Sequence, residues 1–392
     1  MSDRPEHDAA APAEVPSRQA FSKDDLARAA RRRLEQAAAP PPRRRRPPRW
    51  RLVPWGFEAV VLLAVLEAFV LRPWWQRRHA AAAVPVSPAI AREPAPAVGA
   101  AAPALAGLTE VVPAFLAPLE GLAEGSATMR AAQLAYSRDT RLPIEVRNSL
   151  GMRFRLVPPG TAILGSPADE PGRGDTELQH VFVAMEPFYL GACEVTQAEW
   201  SQLMPANPSR YSGPQRPVEE VTWYECQRFL TALCQREGVP EGTYRLPSES
   251  EWEYACRAGT ATAYCCGSDP RCLDAFAIHG DNGGSGTTDV GLRRPNALGL
   301  YDLHGNVWEW CLNRFAPYPN DTRPADPEYE SWRCLRGGNW YVPPVDCRSA
   351  GRNRLPPTSK GNMLGFRVLR RIDLPAPPAP PAAPPAPAPA AR

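Results

Sequence analysis

Apolar residues recur at helical spacing between Thr222 and Gly238: Cys226, Phe229, Leu230, Leu233 and Cys234 fall on one face. Gly238 and Pro240 end the pattern. The same start signal, a hydroxyl residue with Glu three positions later, occurs three times: Thr196 with Glu199, Thr222 with Glu225 and Ser248 with Glu251. Each hydroxyl can accept from a free backbone N–H and each Glu can reach back to the cap, so the spacing predicts three helices. Cys226 and Cys234 are expected to be core residues. Elsewhere the period shortens to two. "MRFRLVPPGTAIL" predicts strand, turn and strand around Pro158-Pro159-Gly160, and further short strands are expected from His180 and from Phe188. From Gly259 onward helical signals are few and Gly, Pro and Asn are frequent. Short strands, two or three helices and much irregular loop make an α+β pattern rather than a doubly wound sheet.

Hydrophobicity is continuous only in Leu52–Leu71, "LVPWGFEAVVLLAVLEAFVL". Twenty mostly apolar residues as a helix can cross a bilayer core of about 30 Å. Glu58 and Glu67 weigh against a span but lie toward its ends; Trp50, Trp55, Trp74 and Trp75 flank it as an interfacial belt would. The alternative is an amphipathic or partner-binding helix. Six arginines from Arg43 to Arg51 precede the stretch, and Arg72, Arg77 and Arg78 follow it. The heavier flank is expected to stay cytoplasmic, which makes this a single-pass protein with its C-terminal domain extracytoplasmic.

Composition sets the remaining boundaries. The 48 prolines crowd the regions around the apolar stretch and the tail, together with Ala, and such segments bury too little apolar area to order themselves. The expected organisation is a disordered Arg/Ala/Pro-rich segment at 1–51, a transmembrane helix at 52–71, an Ala/Pro-rich linker at 72–143, a folded domain at 144–371 and a Pro/Ala-rich disordered tail at 372–392. A net charge of +3 gives no general nucleic-acid affinity. The ten cysteines form no C-x-x-C motif, Cys265 and Cys266 are adjacent, and their pairing is left open. His180, His279 and His304 are not at i, i+4 spacing, and no G-x-S-x-G elbow or phosphate-binding glycine loop occurs, so helical zinc and common hydrolase chemistry are excluded.

"LGLYDLHGNVWEWC", Leu298–Cys311, places Asp302 and Glu309 around a Gly-Asn turn. Carboxylates and turn carbonyls suit a hard cation such as calcium; equally, Glu309 can serve only to accept backbone N–H bonds.

"YRLPSESEWEYACRAG", "PNALGLYDLHGNVWEWC", "LRGGNW" and "LGFRVLR" resemble the formylglycine-generating enzyme, or sulfatase-modifying factor, family. The resemblance runs from "NSLGMRF" to Arg370. It implies a C-type-lectin-like variant of the α+β fold with little regular secondary structure. It also implies calcium at the "GNVWEW" loop, held by the side chains of Asp302 and Glu309 and the carbonyls of Gly305 and Val307. A second calcium site is implied between Asp274 and Asp289. The implied activity is oxygen-dependent oxidation of a cysteine in a sulfatase C-x-P-x-R peptide to formylglycine, with copper held by two cysteines.

The family writes that copper site as R-G-G-S, two residues, then C-x-x-x-x-C. Here Arg336-Gly337-Gly338 match, Asn339 stands at the serine, Val342 at the first cysteine and Cys347 at the second. A valine cannot ligate, so copper is not expected, and Cys347 is read as a packing residue rather than a catalytic thiol. Cys334 would have to fold back to help. The iron-dependent ergothioneine relatives carry an extra helical domain with clustered histidines, absent here. The expectation is therefore a membrane-anchored, non-catalytic binding module for a protein or peptide ligand, with a groove formed by Asn339, Trp340, Tyr341 and Trp308. Trp308 and Trp310 are alternatively core. The competing reading is a divergent formylglycine-generating oxidase.

Overall fold

The computed structural model describes residues 105, 107–111, 119–318 and 331–372. The expected segments at 1–51 and 52–71, most of the linker and nearly all of the tail lie outside the described residues. Among the described residues no helix is long and apolar enough to cross a membrane.

Among the described residues three sheets carry the fold. The largest takes strands in the order β1 (Thr109–Val111), β2 (Glu145–Arg147), β3 (Arg153–Val157), β6 (Phe188–Gly191), β12 (Leu369–Arg371) and β7 (Tyr244–Arg245). Four-stranded pairing joins β10 (Asn353–Leu355), β9 (Arg333–Arg336), β8 (Trp308–Arg314) and β11 (Leu364–Gly365), with only β11 parallel to its neighbour. A ribbon pairs β4 (Gly160–Leu164) with β5 (His180–Ala184). The strands expected on either side of Pro158-Pro159 both form, but they enter different sheets, so the turn is a corner between layers and not a hairpin.

All three predicted caps form complete capping boxes, at the starts of α2 (Gln197–Trp200), α3 (Trp223–Glu237) and α4 (Glu249–Arg257). In each, hydroxyl and carboxylate satisfy two backbone donors that the first helical turn leaves without partners. On α3 the five apolar residues of the predicted face are the buried ones, and Gly238 stops the helix with φ of 65°. That face packs into the main core, where Trp200 stacks on Phe229 at 5.5 Å and Phe366 meets both rings edge-on.

The folded part begins before the expected boundary at 144. Helix α1 (Ser126–Thr140) and strand β1 lie inside the stretch expected to be linker. The reason is chemical. The helix starts from Gly125 without a side-chain cap, and its buried residues are Ser126, Arg130 and Gln133 rather than an apolar stripe. It docks through polar bonds: Gln133 donates to the Leu156 and Leu298 carbonyls and Arg130 to that of Ala297. Hydrophobic periodicity has no signal for such a helix.

Among the described residues from Gly259 onward, regular structure is strands and two 3-10 helices, Pro270–Ala275 and Pro344–Cys347. One disulfide, Cys266–Cys272, closes the loop bearing the first of these; the other eight cysteines are free thiols.

Candidate functional site

Strand β9 ends at Arg336, whose guanidinium is fully buried and donates to Glu253 and to the Gly351 carbonyl. Gly337 and Gly338 follow with φ of 100° and 76°, a region that side chains other than glycine's enter at a cost. The chain then turns at Asn339. Its side-chain oxygen accepts from the N–H groups of Tyr341 (2.8 Å) and Val342 (3.0 Å), so the residue at the serine position works as a local turn former. Trp340 donates its backbone N–H to Asn306 and its indole N–H to the Asn362 carbonyl.

Val342 points into a small apolar cluster with Ala263, Tyr264, Leu273, Ala277, Cys347 and the Cys266–Cys272 disulfide. Cys347 is 0 % exposed. Its thiol donates to the Pro343 carbonyl at 3.8 Å, and its own carbonyl meets His304 Nδ1 at 2.8 Å. Burial, with Asp346 beside it, pushes the thiol pKa up, away from the thiolate that nucleophilic or metal chemistry needs. A cavity of about 690 Å³ borders this segment; Pro343, Pro344, Val345, Tyr264 and His279 line it, and Cys347 does not. Cys334 lies in a different cluster, with its thiol donating to Glu249 at 3.2 Å, so it does not complete a pair with Cys347.

The four groove residues separate. Trp308 is buried in the main core, as is Trp310, which donates to the Val221 carbonyl. Trp340 and Tyr341 form an edge-to-face pair at 5.5 Å, and Tyr341 is 54 % exposed. Tyr211 adds a third ring, edge-on to Trp340 at 5.6 Å, and its hydroxyl accepts from Asn362. Sequence reasoning missed Tyr211 because 129 positions separate it from Trp340 and no local pattern joins them. Close approach of the loop behind them needs glycine: a Cβ on Gly283 would meet the Trp340 carbonyl.

The loop expected to hold calcium is fully interior. Asp302 adopts φ of 61°, and its Oδ2 accepts from Gly291 N–H at 2.7 Å. Gly305 packs on the Ile278 carbonyl so closely that a Cβ has no room. Val307 is buried. Glu309 is gripped by Arg367 through two bonds of 2.6 and 2.7 Å and also accepts from Trp252 Nε1 at 2.6 Å. Beside Asp302 lies Glu194, unremarked in the sequence because it sits just ahead of the Thr196 cap. Neither of its carboxylate oxygens has a hydrogen-bond partner. Burial, with Asp302 next to it, holds the Glu194 carboxyl well above the usual carboxylate range; burial likewise pushes Asp302 up to about 6 against the lowering bond from Gly291. Among the described residues no group of three or more His, Cys, Asp and Glu side chains is arranged to hold a metal, the Asp274–Asp289 region included.

The profile of the sulfatase-modifying factor enzyme 1-like domain matches residues 145–372, more than half the chain. The chain belongs to that family. A formylglycine-generating enzyme of Streptomyces coelicolor is 33 % identical over 199 residues, 46 % of this chain and 60 % of that one. A chaperone protein LppX of Paenibacillus barcinonensis is 29 % identical over 235 residues, 48 % of this chain and 81 % of that one. Among solved structures, Treponema denticola variable protein 1 matches at a TM-score of 0.52 and 27 % identity, covering 58 % of this chain and 99 % of that one. The mixed sheets and few helices are the α+β architecture of a sulfatase-modifying-factor domain, and the match ends where the described residues end.

Proposed function

We propose that this sulfatase-modifying-factor domain is a non-catalytic binding module that has lost the copper-holding cysteine pair. The observation that carries the reading is Val342, an apolar side chain packed where the family places a thiolate, with the Cys347 thiol sealed behind it, where burial pushes its pKa up. Soft thiolates are what select Cu(I); one buried thiol and a disulfide do not fit the group. The chain is similar to proteins named as a chaperone and, over 166 residues spanning 24 % of that chain, as a serine/threonine-protein kinase of Chlamydia pneumoniae as well as to a formylglycine-generating enzyme, which fits a domain that does not by itself fix one activity. The ligand we infer is a protein or peptide segment. It would lie over the exposed Tyr341 and the half-buried Tyr211, rings of the kind that anchor interfaces, with the buried Trp340 packed against both as their support. In this reading the domain is a C-type-lectin-like variant, with irregular loops presenting the aromatic face. Cu(I) titration of the full chain against a chelator tests the reading: no one-to-one copper complex is expected, and a tight one lost in Cys347→Ala would favour the divergent oxidase instead.

Calcium is proposed at the Asp302 loop. The fit rests on the Glu194 carboxyl, buried beside Asp302 with neither oxygen hydrogen-bonded, since two adjacent buried carboxyls whose nearest cation, Arg367, is already bonded to Glu309 call for a cation or a proton. The ion would supply positive charge that ties the loops together.

Membrane anchoring through residues 52–71, with an extracytoplasmic domain, is proposed from the apolar run and the six flanking arginines. Protease added outside intact cells, with the outer membrane opened where one is present, should digest the domain; digestion only after cell lysis would refute this orientation.

A further inference from the structure

Resting on the calcium reading, we propose that Glu194 is a ligand of that cation together with Asp302, and that Glu309 is not. The three carboxylates have different partners. Both oxygens of Glu309 are engaged, Oε1 by Arg367 and Oε2 by Arg367 and Trp252, so its charge is neutralised by a guanidinium. Arg367 has no N–H group left for the others: its remaining three reach the carbonyls of Gly191 at 3.0 Å, Ala192 at 3.5 Å and Tyr301 at 2.9 Å. Glu194 is 2 % exposed with neither oxygen bonded, and Asp302 is 3 % exposed with a bond from Gly291 on one oxygen.

The same arginine sets the geometry. Its bonds to Gly191 and Tyr301 fasten the two segments that carry Glu194 and Asp302, and Tyr301 N–H donates to Ala192 at 2.8 Å between them. Asp302 is held in a left-handed conformation by this framework, three residues ahead of Gly305. Two carboxyl groups are thus held next to each other in the interior, with Arg367 as the nearby positive charge but already bonded to Glu309. Hard oxygen ligands of this kind suit calcium, which tolerates irregular geometry. The arrangement departs from the ligand set that the family resemblance implies, because Glu194 takes the place of Glu309.

Calcium titration of the purified full chain by calorimetry, after treatment with EGTA, tests the assignment, with melting temperature as a second readout. The chain as it stands should bind one calcium and melt at a higher temperature with it. Glu194→Gln should bind at least ten-fold more weakly and lose the calcium-dependent rise, while melting in EGTA at or above the temperature of the unaltered chain, because the carboxyl it replaces has no hydrogen-bond partner there. Asp302→Asn should weaken binding similarly and gives a second variant if Glu194→Gln does not fold. Glu309→Gln should melt lower in EGTA yet keep a calcium-dependent rise. If Glu194→Gln, or Asp302→Asn in its stead, bound calcium as tightly as the unaltered chain, the assignment would be overturned while calcium binding stood. If the unaltered chain bound no calcium, both would fall, and the pair would be a carboxyl and a carboxylate sharing a proton.

Discussion

Arg367→Met is expected to lower the stability of the folded domain by about 3–5 kcal/mol, the cost of leaving a buried partner charge alone. Glu309 and Arg367 are both 0 % exposed, and the guanidinium is also the bridge between the β6 end and Tyr301. Methionine fills much of the volume but leaves Glu309 with a single bond, from Trp252. Adding Glu309→Gln to Arg367→Met should recover part of the loss, since the stranded charge is then gone. Urea unfolding followed by tryptophan fluorescence, in EGTA, measures it. A loss below about 1 kcal/mol would mean that another group neutralises Glu309 and that the charge assignment around the loop is wrong.

Gly338→Ala should be the second most damaging change. At φ of 76° a side chain costs about 1–2 kcal/mol in backbone strain. The new Cβ would also meet the Cys347 Sγ, with Cys347 Cα and Cβ at 3.0 and 3.1 Å, which adds about 1–3 kcal/mol of overpacking. The two parts separate in a double variant. Cys347→Ala removes the sulfur, so it should relieve part of the clash and none of the backbone strain. Thermal unfolding of the four chains reads this directly. Simple additivity of the two substitutions would show that Cys347 is not packed against the glycine turn.

Local chemistry was legible and distant chemistry was not. The caps at Thr196, Thr222 and Ser248 and the face of α3 were readable because donor, acceptor and apolar stripe lie within a few residues of one another. The family was readable from contiguous motifs. Helix α1 escaped because it docks through Gln133 and Arg130 and starts at an uncapped glycine in Ala-rich sequence. The Cys266–Cys272 pair could not be assigned by spacing among ten cysteines. Around the loop at Asp302, the sequence named Glu309 as a carboxylate with two possible uses, but only the fold brings Arg367 to it from the penultimate strand region and Glu194 to Asp302 from the end of β6. Trp308 and Trp340 look alike as aromatic residues beside a glycine motif and are about equally buried; strand β8 turns the first into the main core, and the Asn339 turn packs the second against Tyr211 and the exposed Tyr341.

The decisive position is Val342, which stands where the family resemblance places the first copper-holding cysteine. The full chain should be supplied with copper, oxygen, a reductant and a peptide carrying C-x-P-x-R, and the peptide followed by mass spectrometry. The cysteine is expected to stay a cysteine. Conversion to formylglycine that disappears in Cys347→Ala would contradict it.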